Sequence, residues 1–295
     1  MRADTAGRSY TSVSGGLLSA RLLSWVRVCL TYIVLAAGAC VVLIPFAWMV
    51  STSLKPLDQI FVYPIRWVPS PVMWSNYLEV FQVAPFGRYI LNTVILTSLG
   101  VIGSLTGSSI AAYSFAKMRY PGKGLLFGIM LSTMMVPGWV TLIPSYILFQ
   151  KLGWLDTYLP IVVPAFFATP FNTFLLRQFY LTIPSELEDA ARIDGASTFR
   201  IFWSIVLPLA RPALAIVAIF AFFYYWNDFL GPLIYLQSQY KFPLSLGVAS
   251  FVSEQQHNYA LMMAASTMAL LPPVALFFVA QRWFVQGIVI TGVKG

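Results

Sequence analysis

Few side chains in this 295-residue sequence could hold a metal, a phosphate or a transferred proton. There is one histidine, His257, and there are two cysteines, Cys29 and Cys40. No cluster of His, Cys and carboxylates has the spacing of a zinc site. No His-Glu-x-x-His and no Gly-x-Ser-x-Gly occurs. Gly122-Lys123-Gly124 is the nearest approach to a phosphate loop, but it lacks the upstream glycine and the Ser/Thr after the lysine. These absences predict that the chain is not an enzyme, hydrolyses no ATP and binds no cofactor or metal of its own. The polar side chains gather in two other places. One is the run from Pro184 to Ser197, with Glu186, Glu188, Asp189 and Asp194. The other is Asn227-Asp228, set inside an apolar stretch behind Tyr225 and Trp226.

The elements that must position these groups are membrane helices. Hydrophobic residues make up 59% of the chain and charged ones 9%, against about 25% charged in a soluble domain. Six apolar runs stand out, at 28–50, 90–114, 125–149, 159–176, 213–235 and 262–281. Each is near the roughly 20 residues that cross a bilayer core. Backbone groups in lipid must be satisfied within the segment, so the runs read as helices, and a barrel would show shorter alternating segments. The expected fold class is therefore an all-α integral membrane protein with six transmembrane helices. Cys29 and Cys40 lie about three turns apart in the first of them, too far for a disulfide, and read as small buried residues.

The net charge of +8 reports topology rather than a nucleic-acid partner. With both termini inside, 13 of the 18 Lys and Arg residues fall in inside segments and 5 outside, as the positive-inside rule requires. Residues 1–27 read as a cytoplasmic arm without an apolar core. The first apolar run is too long for a signal-peptide core and reads as an uncleaved anchor. The chain divides into that arm, a first helix and outside loop at 28–85, a five-helix transmembrane domain at 86–282 and a cytoplasmic tail at 283–295. In the outside loop Ser75 is a candidate cap for a short helix through Phe81. Pro137-Gly138 and Pro144 in the third run, and Pro160, Pro164 and Pro170 in the fourth, predict kinks. No run carries the regular arginines of a voltage sensor, and no Thr-Val-Gly-Tyr-Gly filter is present.

The polar run is an inside loop, 177–212. Ser185 and Glu188 have the spacing of a capping box, after the break at Pro184. A helix is expected from Glu186 to Ile193, with acidic residues in its first turn where the dipole favours them. Gly195 suits the left-handed residue that ends a helix. Ser197 or Thr198 would cap a second helix carrying Phe199, Phe202, Ile205 and Val206, which closes at Pro208. Ala190 and Ala191 are small enough to let the first helix sit deep in another surface.

Asp189-Ala190-Ala191, Gly195, then Ile205, Leu207 and Pro208 match the spacing of the E-A-A-x(3)-G-x(9)-I-x-L-P motif, with Asp in the glutamate place. The loop 184–208 thus resembles the coupling loop of ABC-importer permeases. Trp154-Leu-Asp-Thr-Tyr158, Phe174-Leu-Leu-Arg177, Trp226-Asn-Asp-Phe229 with Pro232-Leu233, and the tail from Gln281 to Gly295 are similar to the carbohydrate, maltose-type branch. The resemblance runs from about residue 30 to the end. It implies a type I importer architecture in the plasma or inner membrane, multi-pass, with both termini cytoplasmic. It implies a second permease, two ATPase subunits that use ATP and Mg, and an extracytoplasmic binding protein. It also implies import of a sugar or sugar-like solute, with Glu188, Asp189, Ala190, Ala191, Asp194, Gly195 and Ala196 as the ATPase-coupling residues and the tail at 286–295 near the ATPases.

Tyr225, Trp226, Asn227 and Asp228 are the substrate-pathway candidates, because intramembrane polar groups are rare and usually functional. Asp228 sits roughly 24 Å along its helix, so an aromatic belt at the outer interface is an equal alternative. The rival solutes are a glycerol phosphodiester or another polyol. The rival class is a stand-alone channel or secondary transporter.

Overall fold

A computed structural model describes the backbone of residues 13–253 and 258–292, and the side chains of 24–252 and 258–281. His257, Glu254 and the last three residues of the tail fall outside that range, as do all side chains of the tail. Every regular element among the described residues is helical. In chain order they are α1 (Val13–Ser53), α2 (Ser75–Val83), α3 (Phe86–Lys117), α4 (Lys123–Ser132), α5 (Gly138–Lys151), α6 (Leu159–Val162), α7 (Pro170–Thr182), α8 (Ser185–Ile193), α9 (Thr198–Ile201), α10 (Leu207–Leu209), α11 (Arg211–Trp226), α12 (Leu230–Tyr235), α13 (Leu244–Ser253) and α14 (Tyr259–Gly292).

Four helical stretches among them, Ser24–Ser53, Phe86–Lys117, Leu159–Thr182 and Tyr259–Gln281, are long and apolar enough to cross a membrane, or six when each of two bent pairs counts as one span. The six expected runs are all represented, but three differ in shape from simple rods. In the third, α4 and its terminal 3-10 turn meet α5 at 101°. The break is at Val136-Pro137, where proline withholds an N–H and its ring crowds the preceding turn. Pro144 lies inside α5 without breaking it. In the fourth span α6 passes into a 3-10 turn at Val163–Phe166, and α7 restarts at Pro170 as its first residue. The fifth span is α11, which stops at Trp226 and resumes as α12 at Leu230.

α3 is the element on which the others pack, meeting α7, α11, α13 and the 3-10 turn of the fourth span. Its surface explains why. Gly100, Gly103 and Gly107 recur at helical spacing on one side, a small-residue stripe of the kind that lets membrane helices approach closely. A Cβ on Gly103 would lie 2.8 Å from the Phe166 ring and 2.9 Å from the Ala165 Cβ. One on Gly107 would run into the Phe166 carbonyl, and one on Gly100 into the Tyr225 ring. Beside the stripe, Ser108 Oγ shares a hydrogen bond with Thr169 Oγ1 at 3.1 Å and Ser109 Oγ with Tyr180 at 2.7 Å. At the outer end, Asn92 Nδ2 donates to the carbonyls of Tyr240 and Phe242 at 2.9 and 3.0 Å.

The first helix extends from Val13 and the last runs to Gly292. Two expectations need correction. Ser75 opens α2 from inside its first turn and makes no cap. Cys29 and Cys40 are exposed rather than buried, because the apolar window of α1 buries none of its surface against the rest of the chain. The outside loop is tied to the end of α1 instead by Asn76, whose Nδ2 donates to the Ser53 and Lys55 carbonyls at 2.9 and 3.0 Å. The ammonium of Lys55 is buried over the Trp48 ring at 3.8 Å, and burial pushes its pKa down.

The glycine stripe gives a direct test. Gly107→Ala is expected to destabilise the detergent-solubilised protein by about 1–3 kcal/mol, the cost of overpacking, since the opposing atom is a backbone carbonyl with little room to yield. Gly128→Ala, on a surface with open space around it, is expected to leave stability unchanged or raised by up to about 1 kcal/mol. Thermal unfolding of both variants measures the difference.

Candidate functional site: a polar loop and a cavity at the helix breaks

The loop begins with α8, which starts at Ser185. Neither Ser185 nor Pro184 caps it through a side chain, so the expected capping box does not form. Glu188 is drawn elsewhere. Its carboxylate is buried, 3.0 Å from Lys117 Nζ at the foot of α3, 3.6 Å from Arg192 and 3.3 Å from the Tyr113 hydroxyl, which donates to it. Lys117 Nζ also donates to the Ile183 carbonyl at 2.6 Å. Arg177 of α7 reinforces the same corner, its Nε donating to the Phe115 carbonyl at 3.1 Å and its guanidinium resting over Phe127 at 4.2 Å. The loop is thus anchored to α3 by a desolvated ion pair that a reading of the loop alone did not reveal.

The helix ends as Gly195 permits. Gly195 has φ +79°; its N–H bonds to the Arg192 carbonyl at 3.0 Å and the Ala196 N–H to the Ala191 carbonyl at 2.9 Å. These are the two bonds of a Schellman ending, which needs a left-handed residue and therefore favours glycine. Of the two capping candidates Ser197 is used, its side chain accepting from the Arg200 N–H at 3.3 Å. From α9 the chain passes through a π turn at Phe202–Val206 into α10. Pro208 follows that turn and has no N–H to donate back into it.

This geometry sorts the candidate residues. Glu188 faces inward, and Ala191 and Ala196 pack on the core of Tyr113, Leu176, Tyr180, Ile201, Phe202 and Val206. Asp189, Ala190, Asp194 and Gly195 are exposed, and Asp189 pairs with Arg192 at 2.9 Å. Three large apolar side chains share that exposure: Ile193 at 87%, Phe199 at 70% and Trp203 at 63%, the last two stacked with centroids 6.2 Å apart. Phe199 therefore parts from Phe202 rather than joining it in the core. An exposed cluster of this kind on a polar loop marks a contact surface.

Among the pathway candidates, the structure separates neighbours. Tyr225 and Asp228 line a cavity of about 930 Å³ beside the interruptions of the third, fourth and fifth spans. Trp226 does not. It is 7% exposed, stacks on Phe222 and donates its Nε1–H to the Ala269 carbonyl of α14 at 3.1 Å. Successive helical residues point about 100° apart, and the packing of α14 against α11 claims this one for the core. Asn227 is exposed and spends its Nδ2–H on the Phe223 carbonyl at 2.8 Å, outside the cavity. Asp228 accepts the Gly231 N–H at 3.1 Å and so caps the restart at α12. Sequence reasoning missed Trp139, Ser145 and Asn172, which face the same space from other spans. Their only signal was proximity to the proline breaks.

A clasp joins the turn after α5 to the segment after α12. Asp156, at φ +55°, lies in the turn after α5. Its carboxylate accepts from the Gln237 and Ser238 N–H groups at 3.0 and 2.9 Å, from Ser238 Oγ at 2.6 Å and from Lys241 Nζ at 2.8 Å. The Lys241 bond, then those from Ser238, hold this carboxyl far below the usual carboxylate range. The turn between α5 and α6 is thereby tied to the segment after α12.

Removing one partner of a buried ion pair strands the other charge, at a cost of about 3–5 kcal/mol. Glu188→Ala is expected to destabilise the protein on that scale in chemical denaturation. The double variant Lys117→Met, Glu188→Leu is expected to recover most of the loss, because no buried charge remains. Equal destabilisation in the two would show that a stranded Lys117 charge is not the source of the loss.

Three comparisons with known proteins agree with this architecture. Residues 103–290 match the family described as binding-protein-dependent transport system inner membrane component. The chain is 34% identical over 267 residues to the sn-glycerol-3-phosphate transport system permease protein UgpE of Yersinia enterocolitica, covering 88% of this chain and 94% of that one. It is 34% identical over 277 residues to the arabinooligosaccharides transport system permease protein AraQ of Halalkalibacterium halodurans, covering 93% and 98%. It is 33% identical over 263 residues to the melibiose/raffinose/stachyose import permease protein MelC of Bacillus subtilis, covering 88% and 94%. Its fold is similar to a chain of a bacterial ABC transporter involved in the import of alginate, with TM-score 0.73, 24% identity and coverage of 95% and 100%. The chain therefore belongs to the binding-protein-dependent transport system inner membrane component family, as the membrane-spanning permease subunit of an ABC importer.

Proposed function

We propose that this permease passes a sugar or sugar-like solute through the cavity at the helix breaks, with Tyr225 and Asp228 among the groups that meet it. The observation that carries this reading is the lining itself: aromatic faces beside hydroxyls, an amide and one carboxylate, in a volume of about 930 Å³. Small-molecule pockets run from about 300 to 1,000 Å³, and ring faces with adjacent hydrogen-bonding groups suit a polyhydroxylated solute. The names of two relatives point the same way, toward oligosaccharides, while a third names a glycerol phosphate. A second permease would complete the open side, and an extracytoplasmic binding protein would deliver solute from the side of the Asp156 clasp, which puts both termini in the cytoplasm.

Energy would come from two ATPase subunits that bind ATP and Mg; this chain carries neither. The surface offered to them is the exposed face of α8 and α9, with Asp189, Ala190, Asp194 and the apolar trio Ile193, Phe199 and Trp203. Glu188 would act from behind, holding α8 against α3 so that movement of the loop becomes movement of the span.

Two measurements in the complete importer test these assignments. Ser145→Trp, which fills the cavity, is expected to cut ATP-driven uptake at least about tenfold, whereas Ile147→Trp on the same helix but outside the cavity leaves it intact; normal uptake in Ser145→Trp would sink the pathway. Gly195→Pro forbids the positive φ, and Ala191→Trp overfills the seat of α8. Both are expected to reach the membrane, abolish uptake and leave ATP hydrolysis unresponsive to loaded binding protein. Uptake without ATPase subunits would favour a channel or secondary transporter instead.

A further inference from the structure

Resting on the pathway reading, the charge of the cavity says which solutes fit it. Asp228 is the one charged side chain in the lining; no Lys or Arg reaches it. Anionic solutes such as phosphate esters are ordinarily held by Arg or Lys. Helix N-termini can substitute for those cations, and two of them, at Gly138 of α5 and Pro170 of α7, open near this space. Each supplies only about half a unit of positive charge, spread over its first turn. Pro137 stands just before α5 and Pro170 opens α7, and neither proline has an N–H to offer. Ionised, Asp228 therefore meets only partial, dispersed positive ends. For a neutral solute the same arrangement is favourable. Hydroxyls can donate to the carboxylate in charge-assisted hydrogen bonds, while the rings of Tyr225 and Trp139 cover apolar sugar faces.

We infer that the cavity takes an uncharged polyhydroxylated solute, and that Asp228 is the specificity residue that accepts its hydroxyls and turns anions away.

The field of Asp228 can be read without knowing the sugar. Cys29 and Cys40, both on the exposed face of α1, are changed to Ser, and Ser145→Cys places a thiol in the cavity. The complete importer in proteoliposomes is then treated with a cationic or an anionic methanethiosulfonate, and the two modification rates are compared. Asp228→Asn should lower the cation-to-anion rate ratio by about tenfold, as expected for one unit charge close by in a partly desolvated space. Asparagine keeps an oxygen to accept the Gly231 N–H, so the restart of α12 is preserved. Asp228→Glu keeps the charge and should keep the ratio. An unchanged ratio in Asp228→Asn overturns the assignment, and so does an equal fall in Asp228→Glu, which would report structural disturbance. ATP-driven uptake of sn-glycerol-3-phosphate by the unsubstituted importer would overturn it as well. If Ser145→Trp blocks uptake while the ratio stays fixed, only the role of Asp228 falls. If Ser145→Trp transports normally, the pathway itself has failed.

Discussion

How near other segments can come to α3 decides the rest of the molecule. In lipid there is little hydrophobic force between helices, so close packing and polar contacts do the work. The stripe of Gly100, Gly103 and Gly107 brings a non-helical backbone, the turn around Phe166, directly against a helix in mid-span. That contact matters because an interrupted helix has free carbonyls and N–H groups, which lipid does not tolerate unless protein or a watery cavity meets them. The glycines shelter one side of the break and the cavity hydrates the other.

Three spans are interrupted, and residues beside their interruptions line one space. Each has its own local cause: Pro137 in the third span, Pro164 and Pro170 in the fourth, and the Asp228 cap in the fifth. Their meeting turns three local defects into one site. The polar loop is joined to this core by a different kind of contact. The Lys117–Glu188 pair gives little net stability after its desolvation cost, but it fixes which face of α8 looks inward and leaves Ile193, Phe199 and Trp203 outside.

The sequence was most legible where the physics is local. Hydropathy located the spans, Gly195 and Ser197 announced the turn, and the motif spacing from Asp189 to Pro208 gave the loop its role. It was least legible where a partner lies far along the chain. Glu188 has the position of a capping-box residue, and only the fold shows that Lys117 takes it. Tyr225 and Trp226 are adjacent aromatics of similar character, yet one lines the cavity and the other is claimed by the Ala269 carbonyl. The glycine stripe was readable in principle, at three- and four-residue steps, but its meaning needed the Phe166 turn that fills it.

The Asp156–Lys241 clasp has a mechanical consequence. It fastens the turn between the third and fourth spans to the segment that follows the fifth. At the opposite end, the Lys117–Glu188 pair fastens α8 to α3. With both ends fastened, the breaks at Pro137 and Asp228 are the joints, beside the walls of the cavity, about which the segments between them can bend.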